Sequence, residues 1–244
     1  MHKHVIVEIL GDYWWKGVLF STAGIFALLI IGKLIPQKNK NLFTVASGLS
    51  LVFINAFIHF YQISRGEWSA QSSLPLNLCS LSAILSGIVL LWRNQLAFEF
   101  LLYWGIPGAA YSILTPEMTL GNEGWYTYDY YISHAGIIFS ALYLVWFLNM
   151  RPGPLSWWKV FLYSQILLIT VGIIDKLIGA NYMYALEPPV VDNPLVIGKW
   201  PWYILGFEVA GIFHFFLLYF FFRKRSKKKV LSESILITEE PVAI

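Results

Sequence analysis

The chain reads as an all-α, polytopic membrane protein of seven transmembrane helices, with its N-terminus outside and its C-terminus in the cytoplasm. Three observations predict this class. Seven long apolar stretches run through the 244 residues. Charged residues make up only 13% of the chain against 57% hydrophobic, with a mean hydropathy of +0.61, whereas a soluble domain carries roughly 25% charged residues. The basic residues fall almost entirely into alternate gaps between the stretches.

The predicted spans are 17–35, 42–63, 74–92, 96–114, 130–148, 157–178 and 202–222. Each is near the ~20 residues that cross a ~30 Å hydrocarbon core. They lack the two-residue alternation of barrel strands, so helices are the form that pairs every backbone polar group within the segment. Orientation follows from lysine and arginine. One set of gaps holds Lys33, Lys38, Lys40, Arg93, Arg151, Lys159, Arg223, Lys224, Arg225, Lys227, Lys228 and Lys229; the other holds Lys3, Lys16, Arg65, Lys176 and Lys199. That is 12 of the 17 basic residues against 5, which makes the first set cytoplasmic. Tryptophans are expected at both interfaces: Trp14, Trp15, Trp68, Trp200 and Trp202 outside, Trp92, Trp146, Trp157 and Trp158 inside.

Other classes are excluded in turn. Glu8 and Asp12 mix with Lys3 and Lys16 before the first span, unlike the basic leader of a cleavable signal peptide. One cysteine permits neither an intramolecular disulfide nor a CxxC metal motif. The net charge of +3 sits in the tail and carries no nucleic-acid signal; its basic run is an orientation signal, or a contact for anionic lipid. Residues 1–230 are expected to form one membrane domain and 231–244 a short disordered cytoplasmic tail. No cofactor is called for. A metal site built from His59, His134, Glu117 and Asp175 lacks supporting HxxxH or ExxH spacing.

Polar side chains inside membrane spans are costly, so their placement carries the functional signal. With the orientation above, His59 lies near the outer end of span two, one turn from Asn55 on the same face. Cys79 lies about 8 Å into span three from outside, at 1.5 Å per residue. Thr115 and Glu117 end span four, Asp129 and His134 open span five, and Asp175, Lys176 and Asn181 close span six, all on the outer side. Little beyond Glu99 and Gln165 is polar in the inner halves. A polar cavity open to the outer leaflet is the expectation, lined by Asn55, His59, Asn77, Glu117, Asn181, Tyr182 and Glu208.

Cys79 and His134 stand out within that layer. Ser72-Ser73-Leu74-Pro75 reads as a helix start, and the free N–H groups and dipole there favour a thiolate. The same field keeps His134 a neutral base, and a thiol beside a neutral imidazole is a minimal activated nucleophile. The alternatives are a cysteine that only packs and a histidine that only braces helices. Glu208 is either a cavity partner for His134 or His59, or a separate buried group; His214, six residues on, does not share its face. Asp175 and Lys176 read as an interfacial charge pair. Gly105, Gly108 and Ser112 read as small residues that let helices close, and Pro107 as a kink.

Leu74-Pro75-Leu76-Asn77-Leu78-Cys79-Ser80, Tyr103-Trp104-Gly105, Leu114-Thr115-Pro116-Glu117, the His134 region, and Gly179-Ala180-Asn181-Tyr182-Met183-Tyr184 followed by Pro188 and Trp200-Pro201-Trp202-Tyr203 together resemble the YwaF-like integral membrane proteins of bacteria. The resemblance covers most of residues 50–220. That family is similar to the eukaryotic transmembrane protein 164 family, whose members are described as acyltransferases moving fatty acyl chains between phospholipids, and more distantly to androgen-induced lipid-ester hydrolases that use threonine in place of cysteine. The resemblance implies Cys79 as nucleophile, His134 as general base, and membrane phospholipids as substrate partners in a multi-pass plasma-membrane protein. Two functions are therefore carried forward. One is a lipid acyltransferase or lipid-ester hydrolase acting through a Cys79 thioester, with Asn77, Asn181 or free N–H groups at the start of span three holding the oxyanion. The other is a small transporter or ligand-binding membrane protein using His59, His134, Glu208 and His214 as titrating groups. A scaffold for other membrane proteins is a third, blander reading.

Overall fold

The computed structural model describes residues 4–190 and 196–224. Seven helices follow one another among them: α1 Asp12–Leu34, α2 Lys40–Ser64, α3 Leu78–Trp92, α4 over 95–114, α5 Trp125–Trp146, α6 Ser156–Ile178 and α7 Trp202–Phe222. Each coincides with one predicted apolar stretch. A two-residue strand β1, Val5–Ile6, pairs antiparallel with β2, Glu117–Met118, which the all-α reading did not include. Most of the basic tail cluster, Lys3 and the expected disordered end at 231–244 lie outside the described residues.

Four helices, α1, α2, α6 and α7, are long and apolar enough to cross a membrane. These four are also the least enclosed, with 22, 22, 11 and 6% of their apolar windows buried. The other three, α3, α4 and α5, form the interior. Leu101, Leu102 and Tyr103 of α4 and Ala141, Tyr143, Leu144 and Val145 of α5 are wholly buried. The division has a physical cause: polar side chains are tolerated where protein surrounds them, so the outer helices turn polar residues such as Thr44, Ser164 and Asp175 inward.

Inside, polar groups are paired across helices. Tyr143 meets Thr44 of α2 at 3.0 Å, Tyr103 meets Ser156 of α6 at 2.7 Å, and Trp104 Nε1 donates to Ser164 Oγ at 2.8 Å. Buried Glu99 accepts from Gln95 Nε2 and from the Gly153 backbone N–H, each at 2.9 Å, so it fastens the α5–α6 turn onto α4. Trp14, expected at the membrane surface, is instead buried, with Nε1 donating to the Leu114 carbonyl at 2.7 Å. Trp15, Trp68, Trp92, Trp146, Trp158, Trp200 and Trp202 are exposed.

α4 is not a simple rod. It runs as Gln95–Phe100, a π-helical turn Leu101–Gly105, then Ile106–Leu114. Pro107 has no N–H for the carbonyl one turn back, and the wide turn immediately before it absorbs that loss.

α1 joins the interior through a missing side chain. A Cβ at Gly17 would lie 2.1 Å from Cζ of Tyr131 on α5, so α1 rests directly on that ring. Overpacking of this kind costs about 1–3 kcal/mol. Gly17→Val is expected to lower the melting temperature in detergent by several degrees, while Gly24→Val, which meets nothing within 4 Å, leaves it unchanged.

Candidate functional site

The approach to α3 is built from short polar side chains. Ser73 N–H bonds Ser69 O at 2.9 Å, Ser69 N–H bonds Ser73 Oγ at 3.1 Å, and the Ser69 and Ser72 hydroxyls meet at 2.8 Å. Leu74 precedes a proline and is thereby held off the helical region. The helix consequently starts at Leu78, not at 74, with Asn77 as its cap: Asn77 Oδ1 accepts the Ser80 N–H at 2.7 Å. Cys79 is thus the second helical residue. Its Sγ lies 3.5 Å from Ser112 Oγ of α4, and Gly108, one turn away on α4, leaves room beside the sulfur.

His134 lies deeper in its helix than the sequence reading had it. α5 begins at Trp125, nine residues or about 14 Å ahead of His134. A helix dipole acts only within its first turn, so the field argument for a neutral imidazole does not hold here. The tautomer is set by a hydrogen bond instead. His134 Nδ1 is 2.6 Å from the Tyr130 carbonyl oxygen, which can only accept. Nδ1 therefore carries the proton, and Nε2 keeps a lone pair without a hydrogen-bond partner among the described residues.

Tyr130 links the two groups. Its ring lies on His134 with centroids 4.4 Å apart, and its hydroxyl donates to the Ser112 carbonyl at 2.8 Å. Gly105 brings α4 and α5 together, since a Cβ there would stand 2.7 Å from Ile137 Cγ2. Cys79 and His134 are not hydrogen-bonded to each other; the thiol's partner is Ser112.

Both line one cavity of about 720 Å³, and so do Asn55, His59, Asn77, Glu117, Asn181, Tyr182 and Glu208. Exposed His4 and Glu187, with Ser72, Glu117 and Asn181 of the neighbouring loops, mark its mouth; the helices contribute Pro107, Phe161, Leu168, Ile204, Phe207 and Phe215 together with the polar Glu208 and His214. From Ile204 to Phe215, α7 alone follows the cavity for about 16 Å.

Several polar residues hold the walls in place. Asn55 Nδ2 donates to Leu51 O of its own helix, and His59 Nδ1 accepts from Trp68 Nε1 at 3.4 Å. Glu117 Oε1 pairs with His4 Nε2 at 2.8 Å, tying the N-terminal strand to the mouth. Asp175 is fully buried and accepts the Tyr182 N–H at 2.9 Å, so it anchors the following loop and is not an interfacial partner of Lys176. The Tyr182 hydroxyl then donates to Ala70 O and accepts the Leu74 N–H, clamping the entry to α3. The Asn181 amide is engaged within its own loop, donating to Glu187 O and accepting from Leu186 and Glu187 N–H.

Glu208 is bonded to Gln165 at 2.6 Å, not to His134 or His59. His214, read as facing elsewhere, also lines the cavity, with Nε2 3.3 Å from the Tyr111 hydroxyl. Tyr111, Tyr130 and Tyr184 were not singled out, and Ser112 was read only as packing. Gly108 and Ser112, one turn apart, were the available signal, because they are on the face of α4 turned to Cys79. Tyr184 lies in the loop after α6 and lines the cavity. Burial, with the Glu117 carboxylate and Cys79 close by, holds its hydroxyl well above the usual tyrosine range.

No curated protein and no solved structure matches the chain. The family model of the TMEM164 family matches residues 9–219, from ahead of α1 to the last turn of α7. A match of that length takes in every helix that builds the cavity, and the chain belongs to the TMEM164 family.

Proposed function

We propose that this membrane protein is a lipid acyltransferase or lipid-ester hydrolase that moves fatty acyl chains between phospholipids through a thioester on Cys79, with His134 as general base. One observation carries the reading. A thiol and an imidazole whose Nε2 is a bare lone pair line the same largely apolar cavity. The lining residues of α7 extend about 16 Å along that helix, comparable with one leaflet of a ~30 Å core.

In the proposed reaction His134 Nε2 takes the Cys79 proton as the sulfur attacks the ester carbonyl carbon. The carbonyl π pair moves to oxygen, giving a tetrahedral oxyanion. Collapse re-forms the carbonyl and breaks the bond to the glycerol oxygen, which leaves as a hydroxyl with the proton from His134. A lysophospholipid hydroxyl, or water, then attacks the thioester and restores the thiol. Proton transfer requires the Cys79 thiol to leave Ser112 and come within hydrogen-bond reach of the imidazole; catalytic hydrogen bonds are commonly loose without substrate.

The same reading has all seven helices crossing a bacterial plasma membrane, N-terminus outside, so that the mouth opens at the outer leaflet. The lysine and arginine asymmetry supports it. A reporter active only outside the cytoplasm is expected to work when inserted in the 65–77 or 119–124 loops and to fail after Asn94 or Met150.

A second reading, solute binding or transport, is favoured by Glu208 and His214, which put ionisable groups on the cavity wall. Acyl transfer lost in Cys79→Ala, with no thioester detected by mass spectrometry, supports catalysis. Uptake that survives Cys79→Ala and disappears in Glu208→Gln supports transport instead. His134→Gln is expected to slow thioester formation about 10²–10⁴-fold without changing the melting temperature, as read in single-turnover assays on protein in lipid nanodiscs.

A further inference from the structure

Several helix hydroxyls in this bundle are committed to their own backbone. Thr44, Ser86, Thr115, Ser140, Ser164 and Thr170 each donate to a carbonyl three or four residues earlier, the local bond such side chains readily make in a helix. Ser112 does not. Its Oγ meets the Cys79 sulfur of α3 at 3.5 Å and has no other partner among the described residues. Sulfur is a weak hydrogen-bonding atom, so this hydroxyl lines the cavity without a strong acceptor.

The hydroxyl is fixed from behind. Pro116, four residues on, has no N–H for the Ser112 carbonyl, and the Tyr130 hydroxyl donates to that carbonyl at 2.8 Å. The Tyr130 ring in turn lies on His134, whose Nδ1 bonds the Tyr130 carbonyl. Ser112 therefore touches the sulfur with its side chain and the support of the imidazole with its main chain. His134 is itself only 8% exposed, with Nε2 unpartnered among the described residues.

The start of α3 offers donors as well. Asn77 Oδ1 accepts the Ser80 N–H, while Asn77 Nδ2 and the N–H groups of Leu78 and Cys79 have no hydrogen-bond partner among the described residues. These donors belong to the sulfur's own segment. Ser112 adds a hydroxyl from a second helix.

We infer that Ser112 is a catalytic residue that changes partners during the reaction: its hydroxyl holds the Cys79 thiol at rest and, once the sulfur has left it and added to the ester carbonyl carbon, donates to the oxyanion. That oxygen is two bonds from the sulfur, so a hydroxyl in contact with the resting thiol lies within reach of it, with the free N–H groups of Leu78 and Cys79 as companion donors. The S–H proton goes to His134 Nε2 and the carbonyl π pair to oxygen. On collapse the pair re-forms the carbonyl, and the leaving glycerol oxygen takes the proton from His134. Ser112 keeps its own proton throughout. The inference rests on the thioester reading above.

The test uses the full chain in nanodiscs of diacyl phospholipid, with acyl-Cys79 followed by mass spectrometry. Ser112→Ala keeps the backbone carbonyl that Tyr130 uses and removes only the hydroxyl. Removing one oxyanion donor commonly costs 10²–10³-fold, and the variant is expected to acylate about 10²-fold more slowly. On the same preparation Cys79 is modified with methyl methanethiosulfonate, which transfers a methylthio group to sulfur and forms no oxyanion on carbon. That rate is expected to stay within about threefold of wild type. Ser112→Thr, which retains a hydroxyl, is expected to acylate within about tenfold of wild type. A methylthiolation rate that falls as far as the acylation rate overturns the role, because Ser112 then acts on the sulfur alone. Acylation by Ser112→Ala within about twofold of wild type overturns it too. Failure of the wild-type chain to form any acyl-Cys79 removes the thioester reading itself, a separate outcome.

Discussion

Hydrocarbon offers no hydrogen-bond partner, and that constraint sorts the molecule. Every polar group within the bundle must be met by another part of the chain or by what the chain binds. Three largely enclosed helices, α3, α4 and α5, are therefore wrapped by four whose apolar windows are mostly exposed and whose polar side chains turn inward. The pairings of Tyr103 with Ser156, Trp104 with Ser164 and Tyr143 with Thr44 are consequences of this sorting. Two incompletely met groups lie in the candidate site: Nε2 of His134 has no hydrogen-bond partner among the described residues, and the Cys79 thiol meets only a hydroxyl.

The loop between α6 and α7 answers the same constraint at the mouth. A buried carboxylate, Asp175, holds the backbone of Tyr182; the Tyr182 phenol spans two backbone groups ahead of α3; and Asn181 stitches the loop to itself. Position is thereby relayed from α6 to the first turn of α3 without a covalent link. The Cys79 helix start is defined as much by this loop as by its own cap at Asn77.

Much of the fold was legible in the sequence, because lipid imposes length and composition on the helices that touch it. The outer four were read to within five residues at either end. The interior helices were harder to place. α3 starts four residues later than read, since Pro75 and Asn77 outweigh the apolar run, and α5 starts five residues earlier, because Trp125, Tyr126 and Tyr128 are too amphipathic to register as membrane. The nine residues named from the sequence all line one cavity. What they bond to was not legible. Glu208 finds Gln165, Asp175 finds a backbone N–H, and Cys79 finds Ser112, because partners across helices depend on rotation about each axis, which hydropathy does not encode. Trp14 failed for the same reason, pointing inward from a position where tryptophan usually faces the interface.

The wide turn at Leu101–Gly105 sets one such rotation. A π-helical turn holds one residue more than the α-helix around it, and each residue is worth about 100° about the axis. The outer half of α4 is therefore indexed against the inner half by that single extra residue. Shortening the turn by one would leave every apolar stretch intact while swinging Ser112 away from the sulfur and Tyr111 away from His214. The molecule would keep its membrane architecture and lose its alignment, so a length change too small for any hydropathy profile to register separates a bundle that merely inserts from one with a working interior.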